Sequence, residues 1–168
     1  MNNRPRIVIE KDRLMRICDA ITILGVIASC GLSLVYYNDL PKTIPIHFNA
    51  AGNANGYGNK ATVFLLPIIS TVIISGIFGL SKYPHLFNYT SPVTIDNAEQ
   101  MYKGGVKLLG VVNAITSLIL FLAVSSTINA ALHTNGQLSK WMLPIIIALS
   151  AILFVYSIVG ALKIANNK

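Results

Sequence analysis

Apolar residues in this chain come in long unbroken blocks separated by short polar stretches. Four blocks, approximately residues 17–37, 62–80, 106–128 and 141–162, match the roughly 20 helical residues that cross a hydrocarbon core about 30 Å thick. None of them holds Lys, Arg or Glu beyond its first turn; Asp19 sits at the first turn of the first block and Lys107 at the entry of the third. The pattern predicts an all-α membrane protein: a single domain over residues 1–168, built as a four-transmembrane-helix bundle.

The connections carry their own signals. In residues 38–61, Pro41 and Pro45 forbid a regular helix, while Ile44, Ile46 and Phe48 alternate as an extended segment does. Asn55-Gly56 has the chemistry of a tight turn. A short extended or hairpin-like loop is therefore expected between helices 1 and 2, lying on the helix ends with Phe48 and Tyr57 as interfacial anchors. In residues 81–105, Pro84 and Pro92 keep the first half extended or turned. Asp96-Asn97-Ala98-Glu99 then reads as an N-cap with an acidic residue three positions later, so a helix should start there. Gly104-Gly105 is where it would bend.

Small residues recur at helical spacing within the blocks. Gly25, Ser29 and Ser33 lie on one stripe of the first, Thr71, Ser75 and Gly79 on one stripe of the second, and Gly110, Ala114 and Ser117 come close to that spacing on the third. In lipid, where no hydrophobic force drives helices together, such stripes let backbones approach. They predict packing within the bundle, or a face for a second copy or a helical partner.

Composition agrees with lipid as the solvent: of 168 residues, 54% are hydrophobic and 11% charged, well below the quarter or so typical of soluble domains. The net charge of +7 could mean nucleic acid, but the cations form no patch interleaved with aromatics, so no nucleic-acid partner is expected. Their distribution instead sets an orientation. Arg4, Arg6, Lys11, Arg13, Arg16, Lys82, Lys103, Lys107, Lys163 and Lys168 fall on one side of the spans, and only Lys42, Lys60 and Lys140 on the other. By the enrichment of cytoplasmic flanks in Lys and Arg, both termini are expected in the cytoplasm and residues 38–61 and 129–140 outside. Ile27-Ala28-Ser29-Cys30 fits a lipoprotein cleavage pattern, yet the apolar run continues through Tyr37, so the segment is expected to stay as a span. Cys18 and Cys30 lie about 18 Å apart along one helix and cannot bridge to each other.

The phrase L-P-x-x-I-P-x-H-F-N-x-x-G-x-x-x-G-Y-G-x-K, from Leu40 to Lys60, resembles the signature of a bacterial membrane domain of unknown function that also forms the N-terminal part of SdpI-type immunity proteins. The similarity runs over residues 37–66, and residues 87–102 also look similar to the next stretch of that family's members. The resemblance implies a location in the bacterial cytoplasmic membrane, and it raises immunity to, or sensing of, a secreted peptide toxin. Members commonly carry Asp where this chain has Lys42 and Asn55, and the longer immunity proteins have further spans.

Candidate chemistry is sparse. His47 could bind metal or sense pH, but a zinc site needs three or four ligands, and on its side only His133 and Asp39 could join it; a hydrogen bond to the loop backbone that fixes its shape is the expected role. The spans pair no nucleophile with a base, so catalysis is not expected, and no cofactor is implied. The residues expected to form a binding loop are Pro41, Pro45, His47, Phe48, Asn49, Gly52, Asn55, Gly56, Tyr57, Gly58 and Lys60. The function expected is that of a binding or accessory subunit whose partners are the bilayer, a secreted peptide or larger membrane protein, or a second copy of itself. Peptide-toxin immunity is the alternative. Small-solute transport is a more distant one, since ion pathways usually need ionisable residues inside the membrane.

Overall fold

A computed structural model of the chain describes residues 4–89, 91–133 and 136–166. Helix α1 (Arg13–Tyr36) is followed by the strands β1 (Thr43–Phe48) and β2 (Ala54–Asn59). A 3₁₀ turn (Lys60–Phe64) then leads directly into α2 (Leu65–Ser81). After a 3₁₀ turn at Pro84–Leu86 come the long helices α3 (Ala98–Leu132) and α4 (Met142–Asn166). The described residues are thus mostly helical, with four helices long and apolar enough to cross a membrane and one two-stranded hairpin.

Several starts have a local cause. Asp12 caps α1, its carboxylate accepting from Met15 N at 2.9 Å, which satisfies one of the donors a helix N-terminus leaves open. Asn59 caps the 3₁₀ turn by accepting from Ala61 N at 2.9 Å. At α3 the expected cap at Asp96 is corrected by one residue. Asn97 is the N-cap, and its side chain turns back to accept from Thr94 N at 2.8 Å and to donate to Pro92 O at 3.1 Å. The competing turn wins because it satisfies both ends of the amide. α3 is unbroken through Gly104-Gly105; Gly105 instead makes room, since a Cβ there would stand 3.0 Å from both Phe87 and Tyr89.

The core of the helical part is the α1–α3 seam. Thr22, Gly25, Ser29 and Ser33 of α1 and Asn113, Ala114 and Ser117 of α3 are all buried. Three of their hydroxyls are satisfied at short range, Thr22 donating to Cys18 O, Ser29 to Gly25 O and Ser117 to Ala114 O, while Ser33 donates to Val63 O of the 3₁₀ turn. Small side chains bonded to their own helix bring two backbones close with almost no polar atom left over. The exception is Asn113 Oδ1, which is buried without a partner.

The Thr71, Ser75 and Gly79 stripe does not pack within the bundle. Thr71, Ser75 and Gly79 are exposed, and α2 packs inward through Pro67, Ser70 and Ile74. Spacing alone defines a stripe but not the direction it faces. The fourth helix departs too: α4 packs on α3, where a Cβ at Gly160 would meet Leu108 at 3.0 Å, and none of its most apolar stretch is buried. The helices are therefore a packed group of three with a fourth leaning on one side.

The end opposite the hairpin has order that the polar composition did not signal. Residues 4–11 run along the turn before α3: Arg4 donates to His85 O and Phe87 O, at 3.2 and 2.7 Å, and lies 5.6 Å from the Tyr89 ring centre. Ile7 and Ile9 pack on Ala98, Met101 and Tyr102, and Tyr102 Oη donates to Pro5 O at 3.1 Å. Phe87, Tyr89 and Tyr102 stack in series. Burial pushes the Tyr89 phenol well above its usual pKa and Tyr102 adds to this, while the Arg4 guanidinium acts in the opposite direction.

Candidate functional site

The hairpin is the one part of the described chain where the phrase singled out by sequence becomes a shaped surface. β1 and β2 pair antiparallel, Thr43 with Asn59, Ile44 with Gly58 and Pro45 with Tyr57; the register then slips so that His47 faces Gly56 and Phe48 faces Ala54. The slip comes just after Pro45, which has no N–H to give the ladder, and such residues sit at bulges. It also breaks the simple alternation expected of Ile44, Ile46 and Phe48. Ile44 is fully buried, Ile46 is 52% exposed, and Phe48 is half-buried.

The turn is not at Asn55-Gly56, which lies inside β2. Instead the chain reverses through residues 49–53. Asn49 Oδ1 accepts from both Ala51 N and Asn53 N at 3.0 Å, Asn49 N donates to Asn53 O, and Gly52 takes a left-handed φ of 79°. An Asn side chain that reproduces a turn's hydrogen bonds outweighs the Asn-Gly signal. Gly56 and Gly58 serve clearance instead: a Cβ at Gly56 would stand 3.0 Å from His47 Cβ, and one at Gly58 3.0 Å from Ile46.

Three contacts hold the hairpin against the helix ends. Beneath it, Ile44 joins Leu40, Val63, Val124 and Ile128 in a buried apolar cluster, and Ser33 Oγ donates to Val63 O at 3.3 Å. At its base, Lys60 Nζ donates to Tyr37 O at 3.0 Å and stands 4.5 Å from the Tyr37 ring centre, itself 5.1 Å from Phe64. A cation is thereby placed on a carbonyl at the end of α1, the favoured place for positive charge on a helix. At its tip, the connection from α3 to α4 clasps the turn, with Ala54 N donating to Gly136 O and Leu138 N to Gly52 O, each at 2.8 Å. That connection starts at His133, because α3 runs to Leu132 rather than stopping near 128.

The exposed set is small. His47 bonds not to the loop backbone, as expected, but to the Asn55 side chain on the paired strand, with His47 Nδ1 2.5 Å from Asn55 Oδ1, so the ring donates to the amide oxygen. Ile46 and Tyr57, the latter 57% exposed, add apolar surface. Pro41 and Asn49 are exposed, Phe48, Gly56, Gly58 and Lys60 half-buried, and Pro45 and Gly52 buried. Of the residues expected to form a binding loop, then, His47, Asn55 and Tyr57 present side chains outward, while Pro45, Asn49, Gly52, Gly56, Gly58 and Lys60 build the support. Among the described residues no three His, Cys, Asp or Glu side chains gather where a metal could be held. Ile46 enters the sequence pattern only as one member of an alternating strand; Pro45 immediately before it is the available sign of a bulge that would turn it outward. The arm contacts of Ile7 and Ile9 have only a weak signal, the apolar run Ile7-Val8-Ile9, which does not show that Val8 alone would face outward.

Residues 24–71, from the middle of α1 through the hairpin to the first turns of α2, match the model of a family described as a domain of unknown function, DUF1648. The matched stretch therefore contains the whole docked hairpin and both helix ends under it. Neither a curated protein nor a solved structure matches the chain.

Proposed function

We propose that this chain is a multi-pass protein of the bacterial cytoplasmic membrane, with both termini in the cytoplasm, whose hairpin is an outward-facing recognition surface for a peptide or a membrane-protein partner. Support for insertion comes from the outer faces of the helices. Leu24, Leu34, Val35, Val72, Ile147 and Phe154 are each 65–70% exposed, far more contiguous apolar surface than a water-soluble monomer tolerates. The placement of Lys and Arg supports the orientation: Lys42, Lys60 and Lys140 flank the hairpin end, and the other cations among the described residues lie toward the arm.

One observation carries the recognition reading. The hairpin's exposed Ile46, His47, Asn55 and Tyr57 sit on backbone fixed from below, at the base and at the tip, so little ordering entropy is left to lose on binding. Loops on rigid scaffolds are where binding residues concentrate. We take the role to be binding without catalysis, and no cofactor enters it. The likeness of the loop phrase to SdpI-type immunity proteins favours a secreted peptide as partner, which is the second reading. Transport finds less support, because the hydroxyls of Thr22, Ser29 and Ser117 in the α1–α3 seam are bonded to their own helices, and the void beside the unpartnered Asn113 Oδ1 is about 10 Å³, room for about one water molecule.

The test places a photo-crosslinking amino acid at Ile46 or Tyr57, and as a control at Val72, in cells that make the chain natively. A discrete peptide or protein adduct at both hairpin positions and none at Val72 is expected. No adduct at either hairpin position contradicts the reading.

A further inference from the structure

The face of α2 that carries Thr71 and Ser75 borders a groove of about 400 Å³ between α1 and α2, walled on the other side by Ile23, Val26 and Ile27 and ending at Lys82. Thr71 Oγ1 is already bonded to Pro67 O at 2.8 Å, so the Ser75 hydroxyl is the one polar group the helix walls offer a ligand above Lys82. Lys82 is exposed, one residue beyond the end of α2, and its ammonium has no carboxylate or hydrogen-bond partner among the described residues.

From Thr71 to Lys82 the groove runs about 16 Å at the helical rise. Its walls are mostly apolar along that length, so an extended hydrocarbon chain can lie in it with its polar end at Lys82. We propose that the groove holds one acyl chain of an anionic phospholipid, with the lipid phosphate paired to Lys82. The charge complementarity selects the headgroup: an unpaired ammonium lies at the end of the molecule that carries most of the Lys and Arg, where an anionic leaflet is worth about 1 kcal/mol per cation. The proposal rests on the chain being inserted in a membrane.

The experiment uses the full chain and separates the two claims. In the first arm the purified protein is reconstituted into vesicles of phosphatidylcholine alone and floated on a density gradient. Flotation is expected, and its failure overturns the membrane reading and this proposal with it. In the second arm the detergent-solubilised protein is titrated with phosphatidylglycerol or phosphatidylcholine of the same acyl chains and read by native mass spectrometry. One retained phosphatidylglycerol is expected, preferred about fivefold, the factor that corresponds to one cation near an anionic surface. Lys82→Gln should remove the preference, Lys140→Gln at the other end should keep it, and Thr71→Leu with Ser75→Leu should lower retention of both lipids. Equal binding of the two lipids by the native sequence, a preference that survives Lys82→Gln, or a protein dimer as the retained species overturns the proposal.

Discussion

Gly25 of α1 and Ser117 of α3 touch so closely that a Cβ on Gly25 would lie 2.8 Å from Ser117 Oγ. The seam at the centre of the molecule is set by that approach. Gly25→Ala should push the helices apart at a site where both backbones are packed, at a cost of about 1–3 kcal/mol, as for other overpacked positions. Gly79→Ala, with nothing within 4 Å of the new methyl, should instead be neutral or stabilising by about 0.5–1 kcal/mol through helix propensity. Thermal unfolding tracked by circular dichroism in one detergent compares the two; equal effects would show that the seam is not the sensitive contact.

The hairpin's shape depends on its turn more than on its strands. Gly52→Ala forces a side chain into a left-handed conformation, at about 1–2 kcal/mol, and Asn49→Ala strips Ala51 N and Asn53 N of their shared acceptor. Both variants should be cut by protease within residues 49–53 many times faster than the parent. His47→Ala and Asn55→Ala remove an exposed pair only and should leave the cleavage rate within about twofold, since surface changes of this kind shift stability by less than about 0.5 kcal/mol.

Lys60 ties the start of the second span to the end of the first. Lys60→Met keeps the stem over Tyr37 but loses the bond to Tyr37 O, and should cost about 1 kcal/mol, as for cations at helix C-termini. Lys60→Arg should recover most of it. Hydrogen exchange at Tyr37 through Leu40 is the readout, and unchanged protection in Lys60→Met would contradict the assignment.

Asp12 makes the fold sensitive to acid at the arm end. Its carboxyl is held below the ordinary value of 3.8, first by the Met15 N–H it accepts and then by the Lys107 ammonium at 3.0 Å. The folded protein binds that proton less readily than the unfolded chain does. The contribution is therefore fully present above the ordinary carboxylate pKa and is lost as pH falls through the lowered, folded value. Asp12→Asn keeps a good N-cap but cannot pair with Lys107, so the variant should be less stable than the parent at neutral pH and converge on it as the pH falls, which makes its loss of stability with acid shallower. Unfolding midpoints from neutral pH to pH 3 test this; identical slopes in the two proteins would refute it.

Much of the architecture is readable from composition and spacing, for reasons that also mark where reading stops. Four apolar blocks free of internal charge fix four long helices, because length and solvent decide that outcome without tertiary detail. The stripe at Gly25, Ser29 and Ser33 and that at Thr71, Ser75 and Gly79 look alike in sequence, yet one is buried and the other exposed, since spacing cannot say which neighbour a face meets. Asn55-Gly56 has turn chemistry but is outcompeted by Asn49 with Gly52, two residues whose cooperation spans four positions. The clasp from Gly136 and Leu138 is invisible locally because its partners, Ala54 and Gly52, lie far away in the chain.

The central claim is that the helices span a membrane with the hairpin outside and the turn before α3 inside. It is tested most directly with a variant free of Cys18 and Cys30 that carries a single cysteine, either at Ala50 in the exposed turn or at Thr94 before α3. An impermeant thiol reagent applied to intact cells should label Ala50→Cys and leave Thr94→Cys untouched until the cells are opened. Labelling of Thr94→Cys but not Ala50→Cys would invert the orientation, and recovery of the protein in the soluble fraction without detergent would contradict the account as a whole.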